Sequence, residues 1–297
     1  MNEQQTYGSP AAFRTALTDK LRAKAETSRW TLQQLQRQMA YDRLLERLYL
    51  VDEGWIVKGA AALLARDIGV RATIDIDVYR AVARDVADAE LRKAAAMDIG
   101  DWFRFELGAP RMVADAAMGV RIPVTAYIGA IVWVEFHVDL VGSGVRMTGQ
   151  PEDVPPLARV VMPDVEQHGY RAYPLVDHIA DKVAAMFEVH GEMGRPSTRY
   201  RDLVDLVAIA IAASVEAGPQ MAALQSEAER RSIKLPARFT VPDRELWERG
   251  YAAEAARSLL PIAHTLDEAL AVCSLFVDPL LDGSAAGMWD AERREWA

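Results

Sequence analysis

The chain has 297 residues, of which 51% are hydrophobic and 26% charged, a composition typical of a globular protein with one large core or two smaller ones. Its net charge of -9 argues against a protein that coats nucleic acid with its whole surface, because such binding depends on neutralising phosphates. A single cysteine, Cys273, excludes an internal disulfide, and without an apolar leader or a long apolar run we expect a cytoplasmic protein with no membrane partner.

The first half of the chain mixes helix and strand patterns. Apolar residues at helical spacing predict two amphipathic helices, over 11–27 and 30–50. A short apolar run, a Lys-Gly turn, a helix-forming stretch and the β-rich segment TIDIDVYR follow. A polar helix is predicted over 82–97, and a loop rich in turn residues over 142–156. Strand propensity and alternation predict further strands over 102–107, 120–127, 130–141 and 159–163.

The second half is predicted to be helical. Pro174 stands where a helix can begin, and an apolar face continues from it to residue 190. Ser197 or Thr198 is expected to cap the next helix, and further helices follow through residue 277. The order of elements indicates an α+β protein, with a mixed domain and its leading helices over 1–165 and an all-helical domain over 166–297.

Two carboxylates, Asp75 and Asp77, stand two residues apart in an otherwise apolar strand. Residues at this spacing share one face of the strand, and adjacent carboxylates repel unless a cation or a shared proton relieves them. Carboxylate oxygens joined by triphosphate oxygens suit Mg²⁺. Two surface aspartates on a solvated strand face would give the same pattern, so the motif alone leaves both interpretations open.

A turn at Lys58-Gly59 lies between a predicted strand and a predicted helix. Backbone N–H groups at such a turn favour phosphate, glycine lets the backbone come close, and Lys58 adds a positive charge. Alone, the pair is also compatible with an ordinary turn. Together with the strand of Asp75 and Asp77 one short helix later, it predicts the phosphate cradle and metal site that phosphoryl transfer uses.

A third carboxylate from a neighbouring strand would complete a two-metal site. The strand over 130–141 offers Glu135, His137 and Asp139 on one face. Asp139, nearest the strand end, is the candidate metal ligand, and Glu135 is held in reserve. His137 is expected to be a solvated histidine, and a solvated strand face would equally explain the whole set.

In the helical half, Lys182 lies on an apolar-faced helix, and Asp202 and Asp205 open the next one. The two aspartates are three residues apart and share a face with Arg199 or Arg201. Helix-start acids and a lysine whose stem packs on apolar groups would explain these residues without a function. The histidines and the cysteine lack the spacing of a zinc site, and common hydrolase, P-loop and metalloprotease motifs are absent from the sequence.

The run IVKGAAALLARDIGVRATIDIDVYR resembles the opening motif of the AbiEii/MenT-type nucleotidyltransferases, the toxin halves of type IV toxin–antitoxin pairs in the polymerase-β-like superfamily. The resemblance consists of a glycine turn, a helix ending near Arg66 and the pattern R-x-T-x-D-x-D that starts at Arg71. It extends to residue 206 through Lys182 in ADKVAAM and the motif RYRDLVDL. The sequence departs at Ala60, where the family usually has a second glycine, which predicts a tighter phosphate approach and altered nucleotide binding.

The resemblance implies a nucleotidyltransferase-type mixed sheet with flanking helices, followed by an all-helical C-terminal lobe. It implies that Asp75 and Asp77 bind Mg²⁺ or Mn²⁺ and that Asp202 completes the site. The expected nucleotide-binding residues are Lys58, Gly59, Arg71, Thr73 and Lys182. Members of this kind add nucleotides to the 3′ end of tRNA, which blocks aminoacylation and translation. The implied partners are therefore an NTP, tRNA and a cognate antitoxin.

In the predicted mechanism, Lys182 neutralises developing charge, and Asp202 orients Lys182 or activates the attacking hydroxyl. Two groups of arginines are candidates for tRNA backbone contacts: Arg195, Arg199 and Arg201, and Arg230 and Arg231. Two alternatives remain. One is a nucleotidyltransferase that modifies an aminoglycoside-like small molecule or a protein side chain; the other is a protein that binds nucleotide or a partner without turnover.

Overall fold

The computed structural model describes residues 6–69, 73–112, 119–190 and 194–297. Contacts within the chain divide it into two compact units. The first contains Met1–Ala65, Thr73–Val145 and Asp153–Ala172, and the second contains Arg66–Ala72, Arg146–Glu152 and Tyr173–Ala297. The division into two domains near residue 165 stays a prediction. The two units are not continuous along the chain, since the segments 66–72 and 146–152 group with the later residues.

The described helices follow the predicted order. The first unit contains α1 (Pro10–Thr27), α2 (Leu32–Val51), α3 (Gly59–Ala65) and α4 (Arg84–Ala95). The second unit contains α5 (Leu175–Phe187), α6 (Tyr200–Ala212), α7 (Ala217–Arg231), α8 (Arg244–Ala255) and α9 (Leu266–Leu281).

Local sequence explains where several helices begin. α2 and α9 each start with a capping box, formed by Thr31 with Gln34 and by Thr265 with Glu268. The predicted cap of α6 by Ser197 or Thr198 is wrong. The residue at the cap position is Arg199, without a side-chain cap bond, while the Ser197 hydroxyl donates to the Ala185 carbonyl at 2.8 Å and is thus used for packing.

The strands form one eight-stranded mixed sheet and two small hairpin sheets. The large sheet has the order β3-β5-β6-β2-β1-β8-β7, with β4 also paired to β5. Its strands are β1 (Trp55–Lys58), β2 (Asp75–Arg80), β3 (Phe103–Leu107), β4 (Arg111–Met112), β5 (Gly119–Ile128), β6 (Ile131–Val141), β7 (Glu152–Val154) and β8 (Tyr170–Ala172). The small sheets pair β9 (Val189–His190) with β10 (Arg195–Pro196) and β11 (Trp289–Asp290) with β12 (Glu295–Trp296).

The fold is therefore α+β, with a mixed sheet flanked by helices, as the sequence predicts. β2 runs parallel to β6 and antiparallel to β1, so one strand is held between neighbours of opposite direction. Alternation along β2 and β6 buries Ile76, Val78, Phe136 and Val138 on one face. Tyr41 of α2 packs edge-on against Phe136, at a ring distance of 4.9 Å, so α2 covers this apolar face. The alternate residues of β2 and β6 therefore point away from α2.

One predicted strand, over 159–163, is wrong. Arg159 has a left-handed backbone, with φ of 45°, which an extended strand does not tolerate. Val160 and Met162 are buried and Val161 is 81% exposed, so the segment alternates as a strand does, but its pairing among the described residues is an isolated bridge of Met162 with Val165. The sheet continues instead through β8 and through β7, which lies inside the predicted loop over 142–156.

The segment preceding β5 from residue 113, Arg71 and its neighbours, and residues 191–193 lie outside the described residues. In the remaining chain, every helix is too short or too polar to cross a bilayer.

Candidate active site

The Asp75 and Asp77 side chains lie on one face of β2. The strand begins at Asp75, and the Thr73 hydroxyl donates to the Asp75 carbonyl at 2.8 Å and accepts from the Asp75 N–H at 3.2 Å. Ile76 on the opposite face is fully buried, so a register shift of one residue would place both carboxylates in the core. Thr73 thus holds the start of the strand, and burial of Ile76 sets the direction of the carboxylates.

The neighbouring strand β6 brings a third carboxylate to the same face. In the parallel register, Asp139 is the partner of Asp77 and His137 is the partner of Asp75. Glu135 lies before the first residue of β6 that pairs with β2, and its register partner is Thr125 of β5. Of the two candidates for the third carboxylate, Asp139 therefore lies beside the pair and Glu135 lies beyond it.

A guanidinium group binds this carboxylate cluster, which we define as Asp75, Asp77 and Asp139. Arg121 of β5 places Nε 2.8 Å from Asp139 Oδ1 and Nη2 2.7 Å from Asp139 Oδ2, and the same Nη2 is 3.2 Å from Asp75 Oδ2. The hydrogen bonds to Asp139 are the main cause that raises the pKa of Arg121 above its usual value. His137 Nδ1 lies 3.2 Å from the other Asp75 oxygen. Arg121 thus brings a positive charge into contact with the carboxylate cluster.

The donor set of the carboxylate cluster fits a hard divalent cation. All its ligand atoms are carboxylate oxygens, and the Asp75 and Asp139 side chains are only 24% and 20% exposed. Their mutual repulsion requires a cation, and in this structure Arg121 partly meets that need. Within the described ranges, no three metal-ligating side chains already surround one point.

The Lys58-Gly59 turn lies directly beside Asp77. Lys58 is the antiparallel register partner of Asp77, so both side chains share the face of the carboxylate cluster. Gly59 has φ of 60°, and a Cβ at this position would lie 1.8 Å from Asp77 Oδ2. Only glycine allows this approach. The next residue, Ala60, is 5% exposed, so the methyl group that replaces the family's second glycine packs in the interior.

In the second unit, Lys182, Asp202 and Asp205 form what we call the lysine cluster. Lys182 Nζ lies 3.0 Å from Asp202 Oδ1 and 2.6 Å from Asp205 Oδ2, and the three side chains are at most 9% exposed. Arg199 Nε contacts the other Asp202 oxygen at 2.5 Å. Asp205 Oδ1 is buried without a hydrogen-bond partner among the described residues. The predicted pair of Lys182 and Asp202 is thus joined by Asp205 in a buried group of three, with the half-exposed Arg199 at its edge.

Electrostatics keeps Lys182 and Asp202 of the lysine cluster ionised. Burial opposes the Lys182 charge, but the Asp205 and Asp202 carboxylates outweigh it and raise the pKa of the ammonium. Burial likewise raises the pKa of Asp202, but Lys182 and Arg199 outweigh it and lower that pKa below its ordinary value. Lys182 is therefore a permanent cation at neutral pH, suited to charge stabilisation and unsuited to act as a base.

The arginines proposed for tRNA contact have different surroundings. Arg230 and Arg231 both bind Glu227, and Arg231 Nη1 also contacts Glu188 at 2.5 Å. Asp181 approaches both guanidinium groups, at 4.0 and 3.8 Å. These arginines are thus neutralised within the chain.

The other arginine group is more accessible. Arg201 pairs with Glu254 at 3.1 Å and remains 60% exposed, and Arg195 is exposed on β10. Arg199 is half exposed while it binds Asp202. Arg66, from the opening motif, pairs with Glu152 at 3.0 Å and donates to the Tyr173 carbonyl at 2.8 Å, so its visible role is structural.

Two residues of these clusters are absent from the predicted site. Arg121 lies on a strand whose pairing with β6 cannot be inferred from its own sequence, although an arginine alternating with buried residues of β5 was a visible signal. The spacing of Asp205 and Asp202 in the sequence places both on one helix face. The structure shows in addition that Asp205 is the closer partner of Lys182.

One solved structure shares this fold, and two others align with lower scores. The nucleotidyltransferase toxin MenT4 from Mycobacterium tuberculosis aligns over 90% of this chain and 97% of its own, at 16% identity and a TM-score of 0.50. Two Helicobacter pylori structures also align: JHP933, at 16% identity, over 85% of this chain and 95% of its own, with a TM-score of 0.47; and a putative nucleotidyltransferase, at 17% identity, over 87% and 100%, with 0.48. No curated protein sequence matches the chain.

Family membership rests on the sequence model rather than on these distant structures. The model described as "Nucleotidyl transferase AbiEii toxin, Type IV TA system" matches residues 43–272, which contain both the carboxylate cluster and the lysine cluster. This match covers more than half of the chain. The chain therefore belongs to the AbiEii nucleotidyltransferase toxin family of type IV toxin–antitoxin systems.

Proposed function

We propose that this toxin transfers a nucleoside monophosphate from an NTP to the 3′ end of tRNA and thereby blocks aminoacylation and translation. The observation that carries the proposal is the register of Lys58 and Asp77, which sets a glycine turn against a face bearing Asp75, Asp77 and Asp139. Nucleotidyl transfer needs this combination of a phosphate cradle and an acidic metal site on one rigid surface. The family supports the NTP as substrate and an antitoxin as partner.

The carboxylate cluster would hold Mg²⁺ or Mn²⁺, with Asp75 and Asp77 as ligands and Asp139 as the third carboxylate. A bound divalent ion would polarise phosphate oxygens and offset the negative charge of the triphosphate. Gly59 leaves room for the Asp77 carboxylate against the turn, and Lys58 adds a positive charge on the same face. Backbone N–H groups of the turn would bind a phosphate. Thr73 contributes by fixing the backbone of Asp75. Arg71 stays a proposed nucleotide contact, outside the described residues.

The lysine cluster would stabilise charge during transfer. Lys182 has three N–H donors, and among the described residues its partners are Asp202 and Asp205, so a third donor would be available for a phosphate oxygen. Asp202 orients the ammonium in this proposal. Activation of the acceptor hydroxyl by Asp202 is disfavoured, because its oxygens already bind Lys182 and Arg199 and its pKa is lowered. The assignment of Lys182 to the NTP rests on the family motif.

The acceptor hydroxyl attacks the α-phosphate, a new bond forms between its oxygen and phosphorus, and the bond to the β-phosphate breaks. Pyrophosphate leaves with the bonding electrons, and the hydroxyl proton passes to solvent or to a nearby base. The products are pyrophosphate and an acceptor extended by one nucleotide. Repetition of this step would add further nucleotides.

The test is transfer of label from each of the NTPs, labelled at the α-phosphate, to purified tRNA in the presence of Mg²⁺. Wild type is expected to label the tRNA 3′ end, and Asp75→Ala and Lys182→Ala are expected to abolish the label. Glu135→Gln serves as a matched control, because Glu135 lies on β6 beyond the residues paired with β2. Label at an internal position, or label that survives Asp75→Ala, would refute the proposal.

One observation favours a second acceptor class. The net charge of -9 repels tRNA and suits a cationic small molecule of the aminoglycoside type. Parallel incubations with total RNA, protein lysate and a panel of aminoglycosides distinguish the acceptors, because the labelled fraction identifies the substrate. A protein that binds NTP and labels none of these fractions would be a non-catalytic member.

A further inference from the structure

The contacts of Arg121 concern the state of the acidic site before substrate binds. Its guanidinium makes a two-point contact with Asp139, at 2.8 and 2.7 Å, and a longer contact of 3.2 Å with Asp75. The Arg121 side chain is 39% exposed, so it reaches the cluster from the solvent side of the sheet and has room to move. One arginine therefore bridges two carboxylates that come from different strands.

The guanidinium and a metal compete for the same carboxylates. Each carboxylate oxygen has a second lone pair, so a shared oxygen is possible, but Arg121 takes part of the space and of the negative charge that Mg²⁺, with near-octahedral geometry at about 2.1 Å, would use. Two cations on Asp75 would also repel each other. Metal binding at Asp75 is therefore stronger when Arg121 leaves that carboxylate, and this longer contact is the one it would lose first. Arg121 can meanwhile keep Asp139, whose oxygens retain lone pairs for the metal.

We propose that Arg121 is an internal counter-cation of the carboxylate cluster, which occupies Asp75 in the free protein and yields it to a divalent metal when the NTP binds. The proposal rests on the function proposed above, since it takes Asp75 as a metal ligand. Arg121 is a positioning residue in this view. It offsets the repulsion between Asp75 and Asp139 in the free protein, and it opposes metal binding until a triphosphate supplies a new anionic partner for its guanidinium.

Arg121 can reach a triphosphate because β5 places its side chain on the face of the sheet that carries the carboxylate cluster. Its register partner is Asp139, on the face shared with Asp77 and Lys58, where the proposed phosphate cradle lies. A planar guanidinium binds phosphate through paired N–H groups as well as it binds carboxylate. Exchange of Asp75 for a phosphate oxygen therefore conserves the number of charged contacts that Arg121 makes. The triphosphate and the metal then bind together.

The experiment measures Mn²⁺ binding by the purified protein without nucleotide, by electron paramagnetic resonance, so that turnover is not the readout. Arg121→Gln is expected to bind Mn²⁺ about tenfold more tightly than wild type, because the competing charge is gone. Addition of a non-hydrolysable NTP analogue should strengthen Mn²⁺ binding in wild type and have a much smaller effect in Arg121→Gln. Unchanged Mn²⁺ affinity in Arg121→Gln would overturn the proposal.

The matched control is Arg104→Gln. Arg104 is an exposed arginine on β3 that pairs with Glu106 and stacks on Tyr127, without a contact to the carboxylate cluster. Its Mn²⁺ affinity should equal that of wild type. A double variant, Arg121→Gln with Asp75→Asn, should lose the tighter binding, which shows that the ion binds at the cluster; retention of tight binding would place the ion elsewhere and refute the exchange.

If Arg121→Gln fails to fold, wild type itself provides the test. The Arg121 Nε–H resonance should shift when Mg²⁺ and the NTP analogue are added together, and an unchanged resonance would refute the exchange. Failure of the proposed function looks different. In that case wild type would transfer no label to any acceptor, while the Mn²⁺ measurements would still decide whether Arg121 competes with the ion.

Discussion

Gly59 and Asp77 are so close that a Cβ added to Gly59 would lie 1.8 Å from Asp77 Oδ2 and 2.7 Å from its Cγ. The glycine also has φ of 60°, a conformation that disfavours any side chain. The Asp77 carboxylate can therefore pack against the turn only because residue 59 is a glycine. A substitution at Gly59 acts on the metal site through the position of the Asp77 carboxylate.

We expect Gly59→Ala to reduce nucleotidyl transfer by about a hundredfold, because displacement of a reacting group by an ångström has an effect of this size. The control is Gly100→Ala. Gly100 also has a positive φ, of 77°, but its Cβ would meet nothing within 4 Å. Both variants should lose about 1–2 kcal/mol of unfolding free energy from backbone strain, and only Gly59→Ala should lose activity. Equal activity in the two variants would show that the close approach has no role.

Much of this region could be predicted from the sequence, because its signals are local. The spacing of Asp75 and Asp77 in an apolar strand is enough to place both on one face, and the Lys-Gly pair marks a turn. That the turn and the two aspartates belong to one site is implied by the family resemblance. The predicted strand at 159–163 shows the limit of local signals, since Val160 and Met162 are buried alternately with exposed Val161 but pair, within the described residues, only through an isolated bridge of Met162 with Val165.

Long-range pairing is what the sequence could not reveal. Arg121 and Asp139 are 18 residues apart, and they meet because β5 and β6 form a hairpin with a particular register. A shift of one residue in that register would send Arg121 to the opposite face. Lys182 and Asp205 likewise meet only through the packing of α5 on α6. Such contacts depend on tertiary structure, which no local spacing encodes.

The choice between Asp139 and Glu135 as the third carboxylate can be tested directly. Asp139→Asn should lower nucleotidyl transfer by about 10–100-fold, the effect usual for groups that support a metal site, because it weakens the cluster and removes the two-point partner of Arg121. Glu135→Gln should retain wild-type activity. The measurement is kcat/KM for the NTP at several Mg²⁺ concentrations. The reverse order of the two variants would transfer the role to Glu135.

Asp205 should matter for stability as much as for activity. Asp205→Asn removes the closer carboxylate of a buried ammonium, so we expect a loss of about 3–5 kcal/mol in the free energy of unfolding. Asp267→Asn is the control, because the ion pair of Asp267 with Arg244 is exposed and should contribute little. Urea denaturation measures both. Similar losses in the two variants would contradict the assignment of the lysine cluster as a buried ionic core.

The pKa directions of the lysine cluster predict how its contribution depends on pH. The pKa of Lys182 is raised above the ordinary 10.5, so its stabilisation is complete below that pH and is lost as the pH rises through the pKa of the folded state. The pKa of Asp202 is lowered below 3.8, so its stabilisation is present above that pH and is lost as the pH falls through the folded value. Between these limits, the difference in unfolding free energy between wild type and a variant without the three charges (Lys182→Met, Asp202→Asn and Asp205→Asn) should be constant. A change between pH 6 and pH 8, in a range where neither group titrates, would contradict the assignment.

The surroundings of the arginines separate two roles that their clustering in the sequence did not. Arg195 is exposed on β10, so Arg195→Glu should weaken tRNA as a substrate, raise its KM and reduce the slope of log affinity against log salt by about 1. Arg249→Glu is the control, because Arg249 is 81% exposed on α8 and lies outside both arginine groups.

Arg231 is only 17% exposed and binds Glu227 and Glu188, so Arg231→Gln should destabilise the second unit and leave the salt slope unchanged. Fluorescence titration of labelled tRNA at several salt concentrations, with thermal unfolding of each variant, tests all of these expectations. An unchanged slope in Arg195→Glu would exclude β10 from the tRNA interface, and a reduced slope in a fully folded Arg231→Gln would show that the guanidinium leaves its carboxylates to bind phosphate.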